Sequence, residues 1–281
     1  MKTILHATDF SAQSVPALKL AHALSEASSS TLVVLHVFDV PMIVSSPQRS
    51  DTMQLIGKDL HKLEKVRLEN FCKEHLGEVN MKHIRCKVKE NEVPATAIMG
   101  VADDIDADTV IVGTRGESRV RELLMGSTAK KLLKESARPV LVVPAGALTN
   151  APEQVAQAVM IGDADVGAIE RGIRFCDELG ARLTVVHVGD AKDGMAARSL
   201  DQLMTRVKEN TGRKDLRHEL VHVGDVTIAE ALDRYLHKHK IDLLVMLGRR
   251  HHNVLDMLFG SDVIIGMAFH TKVPTLVLRE G

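Results

Sequence analysis

Short runs of Val, Ile and Leu alternate along the chain with longer stretches in which apolar residues recur every three or four positions. In the first half, the apolar runs predict strands at Thr3–Ala7, Leu32–Val37, His83–Val88, Thr109–Val112 and Val140–Val143. The stretches between them predict helices at Ser14–Glu26, Asp51–His75, Pro94–Asp103 and Ser127–Ser136. Nearly continuous apolar strands are typical of sheets that helices cover on both faces. The alternating order therefore predicts an α/β fold with a doubly wound parallel sheet.

The same pattern returns in the second half of the chain. Three apolar segments recur in the same order at offsets of about 135 to 151 residues: Thr31–Asp39 with Arg182–Asp190, Ala107–Gly113 with Ile241–Gly248, and Arg138–Pro144 with Val273–Arg279. The second set of predicted strands lies near Ala158–Gly162, Leu183–Val188, Arg217–Val223, Leu243–Leu247 and Thr275–Leu278. Because the period is a whole domain, we predict two tandem flavodoxin-like domains, each with a five-stranded parallel sheet. They span 1–147 and 155–281, with a linker at Ala145–Gln157.

The amino-acid composition argues against several classes of binding partner. Thirty-six basic and 37 acidic residues leave a net charge of −1, which provides no field to attract nucleic acid or anionic lipid. Aromatic residues make up 2% of the chain, too few for a base-stacking surface. The three cysteines form no CxxC pair, which favours free thiols in a reducing compartment. The sequence begins without a signal-peptide pattern and lacks an apolar run of membrane-spanning length, so we expect a cytoplasmic protein.

The carboxyl ends of parallel strands are where open α/β sheets bind ligands, and candidate residues follow three predicted strands. Thr8 and Asp9 follow the first strand, where a carboxylate can accept hydrogen bonds from ribose hydroxyls or an adenine edge. The same residues are also common in a turn that starts a helix, so Asp9 alone favours the structural interpretation.

A glycine-bearing loop is the most specific of these signals. Gly113, Arg115 and Gly116 follow the fourth strand, and after nine further residues Gly126, Ser127 and Thr128 open a helix. Glycines allow the backbone to approach a ligand closely, and a helix N-terminus presents unpaired amides to an anion. The spacing is neither a Walker A loop nor a dinucleotide fingerprint. It favours a phosphate-binding loop over a plain connection.

The second strand ends in His36 and Val37, and the backbone N–H and C=O of Val37 are suited to reading an adenine edge. His36 has a counterpart, His187, at the same position of the repeat. A histidine on a strand is more often a satisfied core residue than a catalyst, so we expect a structural role for both.

These segments together resemble the universal stress protein family, and the resemblance covers the whole chain as two tandem copies. It is carried by ATDFS at 7–11, LHV at 35–37, GTRG at 113–116, GST at 126–128 and RPVLVV at 138–143. In the ATP-binding branch of that family, the glycine loop holds the phosphates and the strand-end residues meet the nucleoside. The resemblance therefore implies ATP or a related adenine nucleotide, with or without Mg²⁺, bound by Thr8, Asp9, Val37, Gly113, Arg115, Gly116, Gly126, Ser127 and Thr128. Ala129 stands where many ATP-binding members have a further hydroxyl.

The second copy lacks this loop. Counting back from Gly260 and Ser261 places Leu247 and Arg250 where the two loop glycines are expected, and Asp262 follows the serine. The start of the copy, at 161–165, keeps an acid without the TDFS pattern. We therefore expect a second domain that retains the fold and binds nucleotide poorly. Whether the basic run 249–252 binds another anion or is a solvated loop stays open, with the loop favoured.

The leading hypothesis is a stress-response regulatory module that binds an adenine nucleotide in its first domain. Two alternatives stay open: an enzyme that adenylates a substrate or slowly hydrolyses ATP, and a ligand-free interaction scaffold. The residues suggest neither a general base beside the phosphates nor a metal-ligand set, so no catalytic or metal-binding residue is predicted. Family members commonly pair through their last strands, which implies an intramolecular domain pair joined at Val140–Val143 and Thr275–Leu278 and leaves a homodimer open.

Overall fold

The computed structural model describes residues 1–39, 50–77, 83–114, 126–189, 194–248, 266–267 and 271–280. Ten strands alternate with seven helices in this part of the chain. The strands are β1 (Thr3–Thr8), β2 (Thr31–Phe38), β3 (Ile84–Glu90), β4 (Thr109–Gly113), β5 (Val140–Val143), β6 (Gln154–Val159), β7 (Arg182–Gly189), β8 (Arg217–His222), β9 (Leu243–Gly248) and β10 (Thr275–Arg279). The helices are α1 (Val15–Ala27), α2 (Ser50–Leu76), α3 (Pro94–Asp104), α4 (Ser127–Glu135), α5 (Asp163–Leu179), α6 (Gly194–Thr211) and α7 (Ile228–Lys238).

The ten strands form one continuous sheet in the order β3-β2-β1-β4-β5-β10-β9-β6-β7-β8. Within each half all neighbouring strands are parallel, as the α/β prediction requires. The halves meet where β5 pairs antiparallel with β10, with Leu141 opposite Leu276. These are the two strands whose pairing the family resemblance implies. The junction removes one exposed edge from each five-stranded sheet.

The core lies on both faces of this sheet and continues from one half into the other. Ile4 and Leu5 are neighbours on β1, both fully buried, and they belong to clusters on opposite faces. The Leu5 cluster extends to Val277, and the Ile4 cluster extends to Leu276. Burial on both faces explains why the strands are almost uninterrupted apolar runs.

Arg279 adds a polar contact between the halves. Its Nη2 donates hydrogen bonds to the carbonyl oxygens of Leu132 (2.9 Å) and Leu133 (2.7 Å) near the end of α4. The Leu132 carbonyl oxygen also accepts from the Ser136 N–H at 3.0 Å, whereas Leu133 lies in the last turn, where carbonyl groups lack intrahelical donors and a guanidinium complements the helix dipole. Arg171 donates in turn to the Arg279 carbonyl oxygen at 2.9 Å. The second half thus holds the C-terminal end of a first-half helix.

The prediction for the first strand of the second half is wrong by four residues at its start. The apolar pattern placed it near Ala158–Gly162, whereas β6 spans Gln154–Val159 and begins inside the expected linker. Gln154 and Gln157 interrupt the apolar run, so the sequence pattern does not indicate where the strand begins. Gln157 is nevertheless buried, with 1% of its surface exposed, and neither polar atom of its amide has a hydrogen-bond partner among the described residues.

Candidate functional site

A cavity of about 290 Å³ opens at the carboxyl edge of the first half of the sheet. It lies where β1, β2 and β4 end and where α3 and α4 begin. Its lining comprises Ala7, Thr8, Asp9, Ser14, Val37, Pro94, Ile98, Val112, Gly113, Gly126, Ser127, Thr128 and Ala129. This is the edge at which parallel α/β sheets bind ligands.

Seven of the nine predicted contact residues line this one cavity: Thr8, Asp9, Val37, Gly113, Gly126, Ser127 and Thr128. The other two, Arg115 and Gly116, lie outside the described residues. Pro94 and Ile98 were not predicted. They come from the first turns of α3, which starts at the same sheet edge after β3, so the β-α order was the signal that could have found them.

Asp9 is held in a tight turn after β1. Its Oδ1 accepts hydrogen bonds from the Ser11 backbone N–H (3.1 Å) and from the Ser11 hydroxyl (2.6 Å). Phe10 between them has φ +63°, a left-handed conformation that is uncommon for a large side chain. Thr8 supports the turn, because its Oγ1 accepts from the Phe10 N–H at 3.1 Å. Asp9 therefore has the structural role that its residue type suggested, and it also lines the cavity.

His36 ties the end of β2 to this turn. Its Nδ1 lies 2.9 Å from the Thr8 carbonyl oxygen, so the Nδ1–H donates there, and Phe10 packs on the ring with centroids 4.1 Å apart. Burial lowers the pKa of His36. His187 makes the same 2.9 Å contact with the Val159 carbonyl oxygen. Both histidines are satisfied structural residues, as the sequence analysis expected.

The start of α4 presents backbone amides to the cavity. Gly126 is the N-cap, and the described part of the chain supplies no side-chain hydrogen bond to the first turn. The Gly126 N–H donates to the Thr114 carbonyl oxygen at 3.1 Å, which fixes the start of α4 beside the end of β4. Gly126 has φ −56°, which any residue can adopt, so the backbone conformation does not require a glycine at this position. Glycine has no side chain, so the N-cap residue itself supplies no acceptor to the first-turn amides, and helix N-termini of this kind can bind anions.

The register of the two half-sheets identifies the second-half counterparts of these residues. His36 lies opposite Thr8, and His187 lies opposite Val159, so the residue after Val159, Met160, corresponds to Asp9. The acids within 161–165 therefore do not correspond to Asp9, and the prediction that the second copy keeps an acid at this position is wrong. Asp165 instead belongs to α5, where its Oδ2 accepts from the Gly162 N–H at 2.7 Å.

The β9 register places Leu247 at the position of Gly113, which confirms the count made from the sequence. Ala7 lies opposite Val112 and Ala158 lies opposite Met246, so the next residue on β9, Leu247, matches Gly113. Leu247 and Met246 are buried, with 8% and 2% of their surfaces exposed. Large apolar side chains thus stand where the first half has Val112 and Gly113. The remaining predicted features of this loop, Arg250, Gly260, Ser261, Asp262 and the basic run 249–252, lie outside the described residues.

In the described ranges, no three His, Cys, Asp or Glu side chains converge as metal ligands. Across the same ranges, the helices are too short or too polar to cross a membrane.

The chain matches the model of the Universal stress protein family over residues 1–144 and 162–279. Universal stress protein MJ0577 of Methanocaldococcus jannaschii is 30% identical over 158 residues, covering 50% of this chain and 94% of that protein. A universal stress protein of Thermus aquaticus is 31% identical over 143 residues, covering 50% of this chain and 98% of that protein. The crystal structure of a universal stress protein from Archaeoglobus fulgidus aligns over 99% of this chain and 98% of its own, with a TM-score of 0.68 and 18% identity. That last likeness shows that the fold is shared over nearly the whole chain.

Proposed function

Because the chain belongs to the universal stress protein family, we propose that its first half binds ATP or a related adenine nucleotide and acts as a nucleotide-dependent regulatory module in the cytoplasm. The single observation that carries the proposal is the convergence of Asp9, Val37 and the start of α4 on one cavity. These groups come from three separate elements, and only the parallel sheet brings them together.

The lining of the cavity fits such a ligand. Ala7, Ile98 and Val112 provide apolar walls for a base, and Asp9 provides a carboxylate for ribose hydroxyls. The amides of Ser127 and Thr128 supply donors and a positive helix end for phosphate oxygens. The volume of about 290 Å³ is close to the lower end for small-molecule pockets, which span roughly 300–1,000 Å³.

A charge placed at the start of α4 tests the proposal without disturbing the fold. Glutamate in the first turn stabilises a helix, so Thr128→Glu should leave the stability unchanged or raise it. Its carboxylate would repel a phosphate group in the cavity, and we expect ATP affinity to fall at least tenfold. Thr128→Gln is the matched control, because it has the same shape without the charge and should keep most of the affinity.

Isothermal titration with ATP and Mg²⁺ measures both variants. Equal affinity of Thr128→Glu, Thr128→Gln and the unmodified chain would contradict the assignment of phosphate to the α4 start. Phosphate release in the same samples tests hydrolysis. We propose that it is absent or slow, because Asp9, the acid that lines the cavity, belongs to the end of β1 where the nucleoside is proposed to bind, and not to the α4 start.

We further propose that 1–147 and 155–281 are the two domains, and that they form the covalent equivalent of a domain dimer. The antiparallel pairing of β5 with β10 supports this proposal, as do the Arg279 hydrogen bonds to α4. In this proposal one half binds the nucleotide, and the other half has the apolar residues Met160, Met246 and Leu247 at the positions of Asp9, Val112 and Gly113.

A further inference from the structure

Two cysteines that are distant in the sequence meet between α2 and β3. The Sγ atoms of Cys72 and Cys86 lie 3.9 Å apart. Cys72 is fully buried, and Cys86 is partly exposed. No sequence motif indicates this contact, because thirteen residues separate the two cysteines and they form no CxxC pair.

We propose that Cys72 and Cys86 are a peroxide-oxidisable thiol pair that closes into a reversible disulfide between α2 and β3. The proposal is independent of the nucleotide site, since neither residue lines that cavity. It assigns a modification site, and the class of reactant is a hydroperoxide.

The geometry favours closure within one chain. A disulfide needs its sulfur atoms about 2.05 Å apart, so a pair already in van der Waals contact has to move by roughly 2 Å. On β3 the buried residues Ile84 and Val88 alternate with exposed ones, and Cys86 lies between them on the face that packs against α2. Cys72 packs in the same cluster. Side-chain rotation together with a small shift of α2 brings the sulfur atoms together.

The two thiols differ in solvent exposure and in pKa, which indicates different roles in the reaction. β3 is the edge strand of the ten-stranded sheet, so a small oxidant reaches the partly exposed Cys86 first. The hydrogen bond between the two thiols lowers the pKa of Cys86, with Lys65 and Lys73 acting in the same direction and burial and Glu69 acting against them. That hydrogen bond and burial raise the pKa of Cys72. Cys86 is therefore the attacking thiolate and Cys72 the resolving thiol.

The reaction balances with one peroxide. The Cys86 thiolate attacks one oxygen of hydrogen peroxide, the O–O bond breaks, and Cys86 becomes a sulfenic acid as hydroxide leaves. The Cys72 sulfur then attacks the Cys86 sulfur, the S–S bond forms, and the S–O bond breaks. The released hydroxide takes the Cys72 proton and leaves as water. Two thiols lose two electrons in total, and a dithiol reductant restores them.

Thiol titration of the full chain tests the proposal. The folded protein is treated with hydrogen peroxide, then denatured and titrated for free thiols, and its peptides are mapped by mass spectrometry without reduction. We expect the titre to fall from three thiols per chain to one, with a peptide pair linked through Cys72 and Cys86. Dithiothreitol should restore all three.

Three variants separate the roles. Cys176→Ser is the matched control: Cys176 is buried in α5, burial raises its pKa to about 12, and the variant should form the linked peptides as the unmodified chain does. Cys72→Ser should stop at a Cys86 sulfenic acid that dimedone traps. Cys86→Ser should leave Cys72 unoxidised at the same dose. A titre of three after treatment, a link that involves Cys176, or a link between two chains would each overturn the proposal.

Discussion

Met160 occupies after β6 the position that Asp9 occupies after β1. His36 and His187 establish this correspondence. The Nδ1 atom of His36 lies 2.9 Å from the carbonyl oxygen of Thr8, which precedes Asp9, and the Nδ1 atom of His187 lies 2.9 Å from the carbonyl oxygen of Val159, which precedes Met160. The turn backbone is also the same, with φ +63° at both Phe10 and Ile161. The two halves therefore share the turn and differ in its chemistry. A carboxylate lines the cavity in the first half, and the second half has a thioether that packs against the core.

Replacing Asp9 with asparagine separates its charge from its role in the turn. The amide oxygen of Asp9→Asn can still accept from Ser11, so we expect the fold to be retained. The loss of a charged acceptor should weaken nucleotide binding by about 1–3 kcal/mol. Titration calorimetry on samples with unchanged melting temperature measures the effect. Asp163→Asn, at an exposed acid in the second half, is the control. Lower stability with unchanged affinity would reduce Asp9 to a turn residue.

The second prediction concerns the buried amide of Gln157. Its oxygen and nitrogen have no hydrogen-bond partner in the described part of the chain, and such a group costs stability. Gln157→Met keeps the shape and removes both polar atoms, so we expect the free energy of unfolding to rise by about 1–3 kcal/mol. Chemical denaturation measures it. Gln154→Met, at a partly exposed position of the same strand, should give no gain. Loss of stability in Gln157→Met would mean that the amide is satisfied.

His6 should make the fold sensitive to acid. Burial lowers its pKa to about 4, against the opposing effects of a hydrogen bond to the Ile111 carbonyl and of the Asp9 carboxylate. Between pH 6.5 and about 4 the unfolded chain therefore binds more protons at this site, and stability falls as the pH falls. The full contribution is about 3 kcal/mol. Gln157 is the counterpart of His6 on β6, so His6→Gln is a natural replacement.

Denaturant titrations at pH 7 and near pH 4.5 test this prediction. The unmodified chain should lose more unfolding free energy between the two pH values than His6→Gln does. His36 and the carboxylates are present in both proteins, so their effects cancel in the comparison. Identical losses would show that His6 is not protonated on unfolding in this range.

Arg279 should stabilise the contact between the halves. Arg279→Met keeps the length of the apolar stem and removes the donors to the carbonyl oxygens of Leu132 and Leu133, so we expect unfolding to become easier by about 2 kcal/mol. Arg138→Met is the control: Arg138 pairs with the exposed acids Asp103 and Asp106 of its own half, and such pairs contribute roughly 0–1 kcal/mol. Equal losses in the two variants would contradict a special role for Arg279.

The sequence predicts most of the strands because burial on both faces leaves a clear apolar signal. Val140–Val143 is correct at both ends, and most other strands differ by one or two residues at an end. The prediction fails at β6 because this strand lacks the apolar signal. It contains two glutamines, and its burial follows from its central place in the sheet. Local sequence does not encode that tertiary environment.

The site residues at the ends of strands could be predicted from the sequence. The features that depend on strand register or on contacts between distant elements could not. Thr8, Asp9 and Val37 follow apolar runs, so the topology places them at one edge. The equivalence of Met160 with Asp9 needs the strand register, and a search for a nearby acid chose the wrong residues. The contact of Cys72 with Cys86 and the hydrogen bonds of Arg279 depend on how distant elements pack.

The number of nucleotides bound per chain tests the central claim most directly. Isothermal titration of the full chain with ATP and Mg²⁺ should give a stoichiometry close to one, and Thr128→Glu should weaken this binding at least tenfold. Met160, Met246 and Leu247 stand in the second half at the positions of Asp9, Val112 and Gly113, so the polar and glycine positions of the first site are not repeated and no second site is expected. A stoichiometry of two, or one site that Thr128→Glu leaves intact, would contradict the account.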